Sequence, residues 1–309
     1  MGGDPETVRS VSVVVPTIGR ARLSELLAAV VADDATTEVV VVADRDRAAV
    51  DAIVAAVAGG SVPVVVVDGP GRGPAAARHR GVEHASGDIV VLLDDDVVPA
   101  PGLVTAHRAA HTGDARRVVV GPMPVAAELR AATVPAYLYA NDYDAEWSRH
   151  VADPAGVGRD LWGGNVSVRR ADANAVPQTD ALGDLRNRED QEWGLRLTRA
   201  GVVGAVAPAA LAVHWHAATT AALLDAAADQ VRTGRLLAAR YPELAAGGDP
   251  ADGLPRPARV VVDLAGRRGI GAPVRWATTS AARRLGDGRP ARWRIALVVV
   301  ARAMVQRAS

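Results

Sequence analysis

The 309-residue sequence contains no cysteine and no lysine. The absence of cysteine excludes disulfides, thiolate nucleophiles and cysteine-based zinc sites. The absence of lysine excludes Schiff-base chemistry and the phosphate-binding lysine of a P-loop, because all 35 basic residues are arginines. No apolar run reaches the roughly 20 residues that a membrane-spanning helix needs. No signal peptide is recognisable either, so we expect a cytoplasmic protein.

The composition is that of a globular protein, with 49% hydrophobic residues and enough length for one large or two smaller domains. The formal net charge is zero, but the charges are unevenly distributed. Residues 1–230 carry 20 arginines and 30 acidic residues, a balance of −10, whereas residues 231–309 carry 15 and 5, a balance of +10. A basic C-terminal segment predicts an acidic surface or partner.

Short valine-rich segments alternate with amphipathic segments over the first half of the chain. Strands are predicted at residues 12–15, 38–42, 62–67, 88–93, 117–120 and 165–168, with helices between the first four. A further helix is predicted near residues 189–200, and the chain is largely helical from residue 219. Alternating strands and helices form parallel sheets with right-handed crossovers. We therefore predict an α/β fold with a Rossmann-like, mostly parallel sheet flanked by helices and a helical C-terminal extension.

Three consecutive carboxylates, Asp94, Asp95 and Asp96, follow directly on the fourth predicted strand. Because side chains alternate along a strand, Asp94 and Asp96 are expected on one side and Asp95 on the other. Adjacent carboxylates repel each other unless a cation lies between them, and Mg²⁺ or Mn²⁺ with oxygen ligands is the usual cation. The carboxyl ends of strands are also where ligands bind in open α/β sheets. The pattern predicts a divalent metal site; the alternative is a solvated acidic turn before Pro99.

A glycine-rich loop at residues 68–74 precedes the third predicted helix. A dinucleotide-binding fingerprint is one interpretation of this loop, but the loop follows the third strand and lacks the full G-x-G-x-x-G pattern. Turn formation is the simpler role for Gly69 and Gly71. Arg78, one turn into the helix, is suited to a phosphate contact because its planar fork matches phosphate oxygens; the alternative is an exposed helix arginine.

Several segments together resemble glycosyltransferase family 2, whose members have the GT-A fold. The matching segments are residues 13–17, the strand that ends at Asp44, residues 73–81, 85–96, 162–170 and 188–190, and His214. The resemblance extends over roughly residues 10–220. It implies a GT-A catalytic domain at 1–220, with a nucleotide-binding half at 10–120 and an acceptor half at 121–220, followed by a basic, mostly helical region at 221–309.

The resemblance implies a metal-dependent, inverting transfer of a sugar from a nucleoside-diphosphate sugar to an acceptor hydroxyl. The acceptor would be a glycan, a lipid-linked sugar or a small metabolite, and no nucleic acid is expected as a partner. The residues implied for the donor site are Pro16, Thr17 and Asp44 in the nucleotide pocket, Arg78 near the nucleotide or its diphosphate, and Asp94 and Asp96 at the ribose and the metal, with Asp95 sharing the site. Asp94 and Asp96 would form the family's D-x-D motif and hold Mn²⁺ or Mg²⁺.

Inversion also needs a base that takes the proton of the acceptor hydroxyl, and Asp190 matches the family's Glu-Asp position. It lies near the start of a predicted helix, where the helix dipole favours an ionised carboxylate. The alternative is an acidic residue that only decorates the first helical turn. Trp193 and Leu197 share its face at helical spacing, so they are expected to seat the helix on the core.

His214 and His216 flank Trp215, and either histidine would complete the metal site beside Asp96, as in some members of the family. A core or surface histidine is the alternative. Asn165, in a Gly-Gly-Asn sequence, is expected to contact the donor sugar or the acceptor, or else to serve a turn.

Two other functions stay open at this stage: a sugar nucleotidyltransferase and a non-catalytic nucleotide-sugar-binding protein. The C-terminal segment 289–309 raises a separate question. Its apolar residues Trp293, Leu297, Val300 and Met304 recur at helical spacing among arginines. Such a basic helix either makes peripheral contact with an anionic membrane or packs against the catalytic domain.

Overall fold

The computed structural model describes residues 9–57, 59–178, 187–242, 244 and 248–309. The chain divides into two compact units. The first comprises Met1–Pro124, Ala145–Asp184 and Glu189–Trp215, and the second comprises Val125–Asp144, Leu185–Arg188 and His216–Ser309. The boundary at residue 220 between a catalytic domain and a basic C-terminal region stays a prediction.

The described residues form nine strands and twelve α-helices. The strands are β1 Val11–Thr17, β2 Glu38–Ala43, β3 Val64–Asp68, β4 Ile89–Leu93, β5 Val97–Pro99, β6 Arg117–Val120, β7 Asn165–Arg169, β8 Val203–Val206 and β9 Ala212–His214. The helices are α1 Leu23–Val31, α2 Arg47–Val57, α3 Pro74–His84, α4 Leu103–Ala110, α5 Ala127–Ala132, α6 Val134–Ala152, α7 Arg170–Ala175, α8 Glu189–Arg199, α9 Thr220–Arg240, α10 Arg256–Ala265, α11 Gly271–Leu285 and α12 Arg292–Ala308. A 3₁₀ helix lies at Pro154–Arg159.

Seven strands of the first unit form one sheet in the order β3-β2-β1-β4-β7-β6-β8. Strands β1 to β4 are mutually parallel where they pair, and β8 is parallel to β6, whereas β7 runs antiparallel to β4 and β6. The valine-rich strands β1 and β4 are buried along their whole length, as expected for strands covered on both faces. The predicted mostly parallel α/β fold with C-terminal helices is confirmed.

The sheet brings several chain segments to one edge. Because β1, β2 and β4 are parallel, their carboxyl ends meet there. Strand β7 runs the other way, so its first residue, Asn165, pairs with the last residue of β4, Leu93. The peptide N–H of Asp94 then donates to the carbonyl of Gly164 at 3.2 Å. The acidic triplet therefore lies beside the Gly163–Gly164 turn.

A second, two-stranded sheet pairs β5 with β9, with Val97 opposite His214. The strand at Val97–Pro99 was not predicted, because three residues ending in proline carry too little periodicity. Its pairing places the segment that follows the triplet against the segment that carries His214. The N–H of Trp215 donates to the carbonyl of Asp96 at 2.8 Å and extends this connection.

Helix α12 packs inside the second unit. Val300 and Met304 are buried in a cluster with residues of α10, and Leu297 packs against a cluster that includes Leu224 of α9. Of the four residues proposed as a membrane-facing stripe, only Trp293 is exposed, at 53%. The prediction that this stripe contacts a membrane is therefore wrong, because the bundle itself covers it. Among the described residues, no helix has the length and apolar character needed to cross a bilayer.

A buried histidine pair ties α4 to β7. His107 and His111 both contact the hydroxyl of Ser167 at 2.8 Å, and His107 Nε2 lies 2.9 Å from Asn165 Oδ1. Burial lowers the pKa of His107 to about 4. Burial, followed by the charges of His107 and Arg169, lowers the pKa of His111 to about 3. Both histidines are therefore neutral in the folded protein at neutral pH.

Because of these two histidines, we expect the folded protein to lose stability in weak acid, at a pH well above that at which carboxylates titrate. The unfolded chain binds protons at these histidines below pH 6.5, whereas the folded chain does not until about pH 4 and 3, so stability falls as the pH drops through this window. At pH 5 the expected loss is about 2 kcal/mol per histidine, measured by urea unfolding at pH 7 and pH 5. His111→Gln should flatten the dependence, whereas exposed His84→Gln should leave it unchanged. A parent protein equally stable at both pH values would contradict this assignment.

Candidate functional site

Asp44 fixes the glycine-rich loop. Its carboxylate accepts the N–H of Gly71 at 2.7 Å and that of Gly73 at 3.3 Å, and its own N–H donates to the carbonyl of Thr17 at 2.9 Å. Position 69 requires glycine, because a Cβ there would lie 2.7 Å from the Asp44 Cα. Each carboxylate oxygen has two acceptor sites, so Asp44 keeps the capacity to accept a nucleobase hydrogen bond as well.

Asp95 is an internal anchor. It is 6% exposed, and its Oδ2 accepts the Thr17 hydroxyl at 2.7 Å and the Ile18 N–H at 3.3 Å. Burial raises the pKa of Asp95, against the lowering effect of the Thr17 hydrogen bond. This contact joins the end of β4 to the end of β1. Asp95 therefore stabilises the fold at this edge, and its predicted part in the donor site stays a prediction.

Pro16 and Thr17 are predicted to line the nucleotide pocket, and the structure shows how the fold holds them. Both lie in the fully buried strand β1, and Thr17 is 2% exposed. The Thr17 hydroxyl donates to Asp95 and accepts the N–H of Gly19 at 2.9 Å. The Thr17 hydroxyl is thus hydrogen-bonded within the fold, and the place of the pair in the nucleotide pocket stays a prediction.

The acidic triplet is a turn rather than the end of a strand, closed by the N–H of Val97 on the carbonyl of Asp94 at 3.0 Å. Asp95 is anchored inside the fold, whereas Asp94 contacts Arg78 and Asp96 contacts His214. Asp96 Oδ1 lies 3.3 Å from Nε2 of His214, a residue that is 5% exposed. The alternation predicted for the triplet assumed a strand, whereas residues 95 and 96 form a turn.

Arg20 is a site residue that sequence reasoning missed. Its Nη1 makes an ion pair with Asp96 and lies 3.4 Å from Asp95 Oδ1, while 48% of its side chain is exposed. The only sequence signal was its place in the loop after β1. Arg20 thus places a positive charge beside the carboxylates of the turn.

Asp96 and His214 fit a divalent ion. Two neighbouring ligands of an octahedral ion lie about 3 Å apart, close to the 3.3 Å between Asp96 Oδ1 and His214 Nε2. A carboxylate oxygen with an imidazole nitrogen suits Mn²⁺ better than Mg²⁺, which prefers oxygen ligands alone. His216 belongs to the second unit, where its ring stacks on Tyr139 with centroids 4.2 Å apart. Its role at a metal stays a prediction.

Arg78 is a buried cation, 4% exposed, so it is not an ordinary surface arginine of a helix. Its Nη2 donates to Asp94, whereas Nε and Nη1 have no hydrogen-bond partner among the described residues. Burial opposes its charge, but Asp94, Glu189 and Asp190 outweigh burial and raise its pKa. Buried unpaired donors are costly, and a guanidinium with free N–H groups is well suited to bind an anion.

Asp190 lies in the first turn of α8, next to Arg78 and the double glycine. Its Oδ2 accepts the N–H of Gly163 at 2.8 Å, and its Oδ1 accepts the N–H of Gln191 at 2.9 Å. A Cβ on Gly163 would lie 3.2 Å from the Asp190 Cβ and 3.3 Å from the Arg78 guanidinium carbon, and one on Gly164 would lie 3.0 Å from Asp94 Oδ2. The two glycines let these three charged groups approach one another.

Helix α8 holds Asp190 in place because its apolar face is anchored. Trp193 and Leu197 are buried in the core of the first unit, which confirms the prediction from their spacing. Burial raises the pKa of Asp190, although Arg78 and two N–H groups act against it. Burial and then the charge of Asp190 raise the pKa of Glu189 to about 7. The expected preference of this helix terminus for ionised carboxylates is thus outweighed by desolvation.

Asn165 is held inside the fold, and its predicted contact with the donor sugar or the acceptor stays a prediction. It is 1% exposed; its Oδ1 pairs with His107, and its Nδ2 donates to the carbonyls of Ala210 at 2.8 Å and Pro122 at 3.3 Å. It begins β7 and holds the end of the Gly163–Gly164 turn in place.

Solved structures with the same fold include two characterised proteins. The glucosyl-3-phosphoglycerate synthase from Mycobacterium tuberculosis, in complex with Mg²⁺ and UDP, has a TM-score of 0.50 and 18% identity, covering 74% of this chain and 79% of that one. Residues 1–349 of S. aureus TarS give a TM-score of 0.50 and 14% identity, with 97% and 90% covered. A mycobacterial protein gives 0.50 and 17%, with 75% of both chains covered. At these identities, the likeness shows the fold alone.

Sequence comparison is more specific. No curated protein sequence matches this chain significantly. Residues 12–171, which are 160 of the 309 residues, match the model of glycosyl transferase family 2. The matched range includes the glycine-rich loop, Arg78, the acidic triplet and the double glycine. The chain therefore belongs to glycosyl transferase family 2 and is a glycosyltransferase.

Proposed function

We propose that this glycosyltransferase moves a sugar from a nucleoside-diphosphate sugar to an acceptor hydroxyl with inversion at the anomeric carbon. The observation that carries the proposal is the grouping of Arg78, Asp94 and Asp190 around the Gly163–Gly164 turn. A buried arginine with unpaired donor nitrogens, an acidic turn and a candidate base thus lie together. The acceptor is proposed to be a glycan, a lipid-linked sugar or a small metabolite.

Arg78 is proposed to hold the diphosphate of the donor. Its two unpaired donor nitrogens match phosphate oxygens, and its charge is preserved by three nearby carboxylates. Asp44 is proposed to accept a hydrogen bond from the nucleobase. A uridine nucleotide is the first candidate, because the synthase from M. tuberculosis binds UDP and TarS binds UDP-GlcNAc.

Asp94, Asp96 and His214 are proposed to hold a divalent cation, and His216, two residues further along the chain, is a fourth candidate ligand. The fit of Asp96 and His214 favours Mn²⁺, which also accompanies UDP in the synthase from M. tuberculosis. A cation bound here would act as a Lewis acid and stabilise the charge on the leaving diphosphate. Arg20 forms an ion pair with Asp96, and we expect this ion pair to break when the metal binds.

Asp190 is proposed to act as the general base. It would accept the proton of the acceptor hydroxyl while that oxygen attacks the anomeric carbon on the face opposite the departing diphosphate, and a single such displacement inverts the configuration. The two N–H groups that bind its carboxylate fix its orientation and leave one acceptor site free on each oxygen. A pKa raised towards the working pH suits a base.

The test is turnover with a panel of nucleoside-diphosphate sugars and acceptors in the presence of Mn²⁺. We expect release of the nucleoside diphosphate together with a product whose anomeric configuration, read by NMR, is opposite to that of the donor. Release of pyrophosphate would indicate a nucleotidyltransferase instead. Donor binding without turnover across the panel would indicate a non-catalytic binding protein, and a retained configuration would exclude the single displacement.

Glu189→Gln is expected to leave the acid limb of the pH–rate profile in place. Burial and the charge of Asp190 raise the pKa of Glu189 to about 7, so Glu189 is already neutral at the lower pH where Asp190 titrates. The amide preserves that neutral state and the shape of the side chain. Exposed Glu128→Gln serves as the matched control and should give the same profile. Loss of the acid limb in Glu189→Gln alone would identify Glu189, rather than Asp190, as the base.

A further inference from the structure

The hairpin formed by α10, the connecting turn and α11, residues 256–285, is strongly basic. We call it the basic hairpin. Its charged residues are seven arginines, at positions 256, 259, 267, 268, 275, 283 and 284, and one acid, Asp263, which gives a net charge of +6. This is more than half of the excess positive charge of residues 231–309, in fewer than half of those residues.

Little of this charge is neutralised within the second unit. Asp263 is engaged by Arg307 of α12 at 2.6 Å, so it does not offset the arginines of the hairpin. Arg283 pairs with Asp225 at 2.6 Å, and Arg275 donates to a backbone carbonyl. Four exposed arginines have side chains without an ion pair or hydrogen bond to any residue that the structure describes: Arg256, Arg267, Arg268 and Arg284.

The same hairpin exposes large apolar side chains. Twelve such side chains are exposed over the described residues, and five of them lie in these 30 residues: Val260 at 54%, Val261 at 36%, Ile270 at 49%, Trp276 at 71% and Leu285 at 49%. The hairpin is packed into its unit through other residues, Val262, Ala265 and Ala282, which are buried. The exposed set is therefore not needed for the packing of the bundle.

We propose that the basic hairpin docks on an anionic lipid bilayer. Unpaired arginines beside exposed aliphatic residues and a tryptophan match the two layers of such a surface, with phosphates outside and acyl chains beneath. A tryptophan at 71% exposure suits the headgroup boundary, where its ring is partly apolar and partly polar. The surface is distinct from the α12 stripe, and the proposal does not depend on the proposed reaction.

Two other occupants fit less well. A second copy of the chain would bring two hairpins of +6 together, and like charges repel. A nucleic acid would attract the arginines but would offer no apolar phase to Val260 and Ile270. A bilayer with anionic headgroups is the surface that uses both the charge and the apolar side chains.

The test is co-sedimentation of the full chain with vesicles made of phosphatidylglycerol and phosphatidylcholine in equal parts, and with vesicles of phosphatidylcholine alone. We expect binding to the anionic vesicles only. Replacing Arg267 and Arg268 by alanine should weaken binding about 30-fold, because each basic residue near an anionic surface contributes about fivefold. The matched control replaces Arg232 and Arg240 of α9 by alanine, which removes equal charge outside the hairpin and should change binding less than about twofold.

A second readout follows the apolar contact. Brominated lipid should quench tryptophan fluorescence in the parent and quench it less in Trp276→Ala, a change at an exposed position that leaves the packed side of α11 intact. Absence of vesicle binding, equal binding to neutral vesicles, or equal loss in both arginine variants would overturn the proposal. So would protein dimers or nucleic-acid complexes that the hairpin variants, but not the control variants, abolish.

Discussion

Asp190→Asn is expected to lower the rate of sugar transfer by roughly 10²- to 10⁴-fold while donor binding stays within about twofold of the parent. Asparagine has the shape of aspartate and retains an oxygen that accepts the N–H of Gly163. It cannot accept a proton from the acceptor hydroxyl, so only the chemical step is affected. This separation of binding from chemistry is the signature of a general base.

Two measurements decide this prediction. Single-turnover rates with saturating donor report the chemical step, and calorimetric titration with the nucleoside diphosphate reports binding. Asp153→Asn removes an exposed carboxylate paired with Arg159 and is the matched control; it should leave both quantities unchanged. If Asp190→Asn transferred sugar at the rate of the parent, Asp190 would have no part in proton transfer.

Asp96→Asn is expected to weaken Mn²⁺-dependent donor binding by at least about 100-fold. Residues that merely support metal ligands change affinity 10- to 100-fold, so loss of a charged ligand should exceed that range. The substitution also removes the negative charge of Asp96, which Arg20 contacts in this structure. The proposed metal site then has less negative charge to attract Mn²⁺. Binding of the nucleoside diphosphate without metal, through Arg78, should be affected far less.

The direct measurement is Mn²⁺ binding itself, followed by the electron paramagnetic resonance signal of the free ion as protein is added. His214→Ala should weaken Mn²⁺ binding as well, because it removes the nitrogen that lies 3.3 Å from Asp96. Exposed Asp51→Asn, on α2, is the control for a lost carboxylate. Unchanged Mn²⁺ affinity in Asp96→Asn would remove this residue from the metal site, whatever its effect on activity.

Much of the first unit could be predicted from the sequence. Runs of valine and helical spacing of leucine and valine give the element types, since these patterns depend on neighbours only a few residues apart. Strand β6 was predicted at the residues where it occurs, and β1 to β4 within two residues at each end. The order of strands and helices then favours a parallel sheet, whose carboxyl edge places Asp44 and the acidic triplet together.

The role of each side chain in the site was harder to predict, because it depends on the residues that surround it in the folded protein. Thr17, Asp95 and Asn165 are polar residues in matching motifs, yet each is buried and uses its polar atoms inside the fold. Arg20, in contrast, stands in an ordinary loop and is brought to Asp96 by the approach of β1 to β4. Local patterns do not carry this information.

The sequence by itself determined the fold class, the family, the acidic triplet and the candidate base, because these rest on local spacing and on motifs within single segments. Only the tertiary structure decided which polar groups face inwards, that the apolar stripe of α12 is covered by its own bundle, and that the basic hairpin is exposed. The physical reason is that burial and electrostatic environment are set by contacts between segments far apart in the chain.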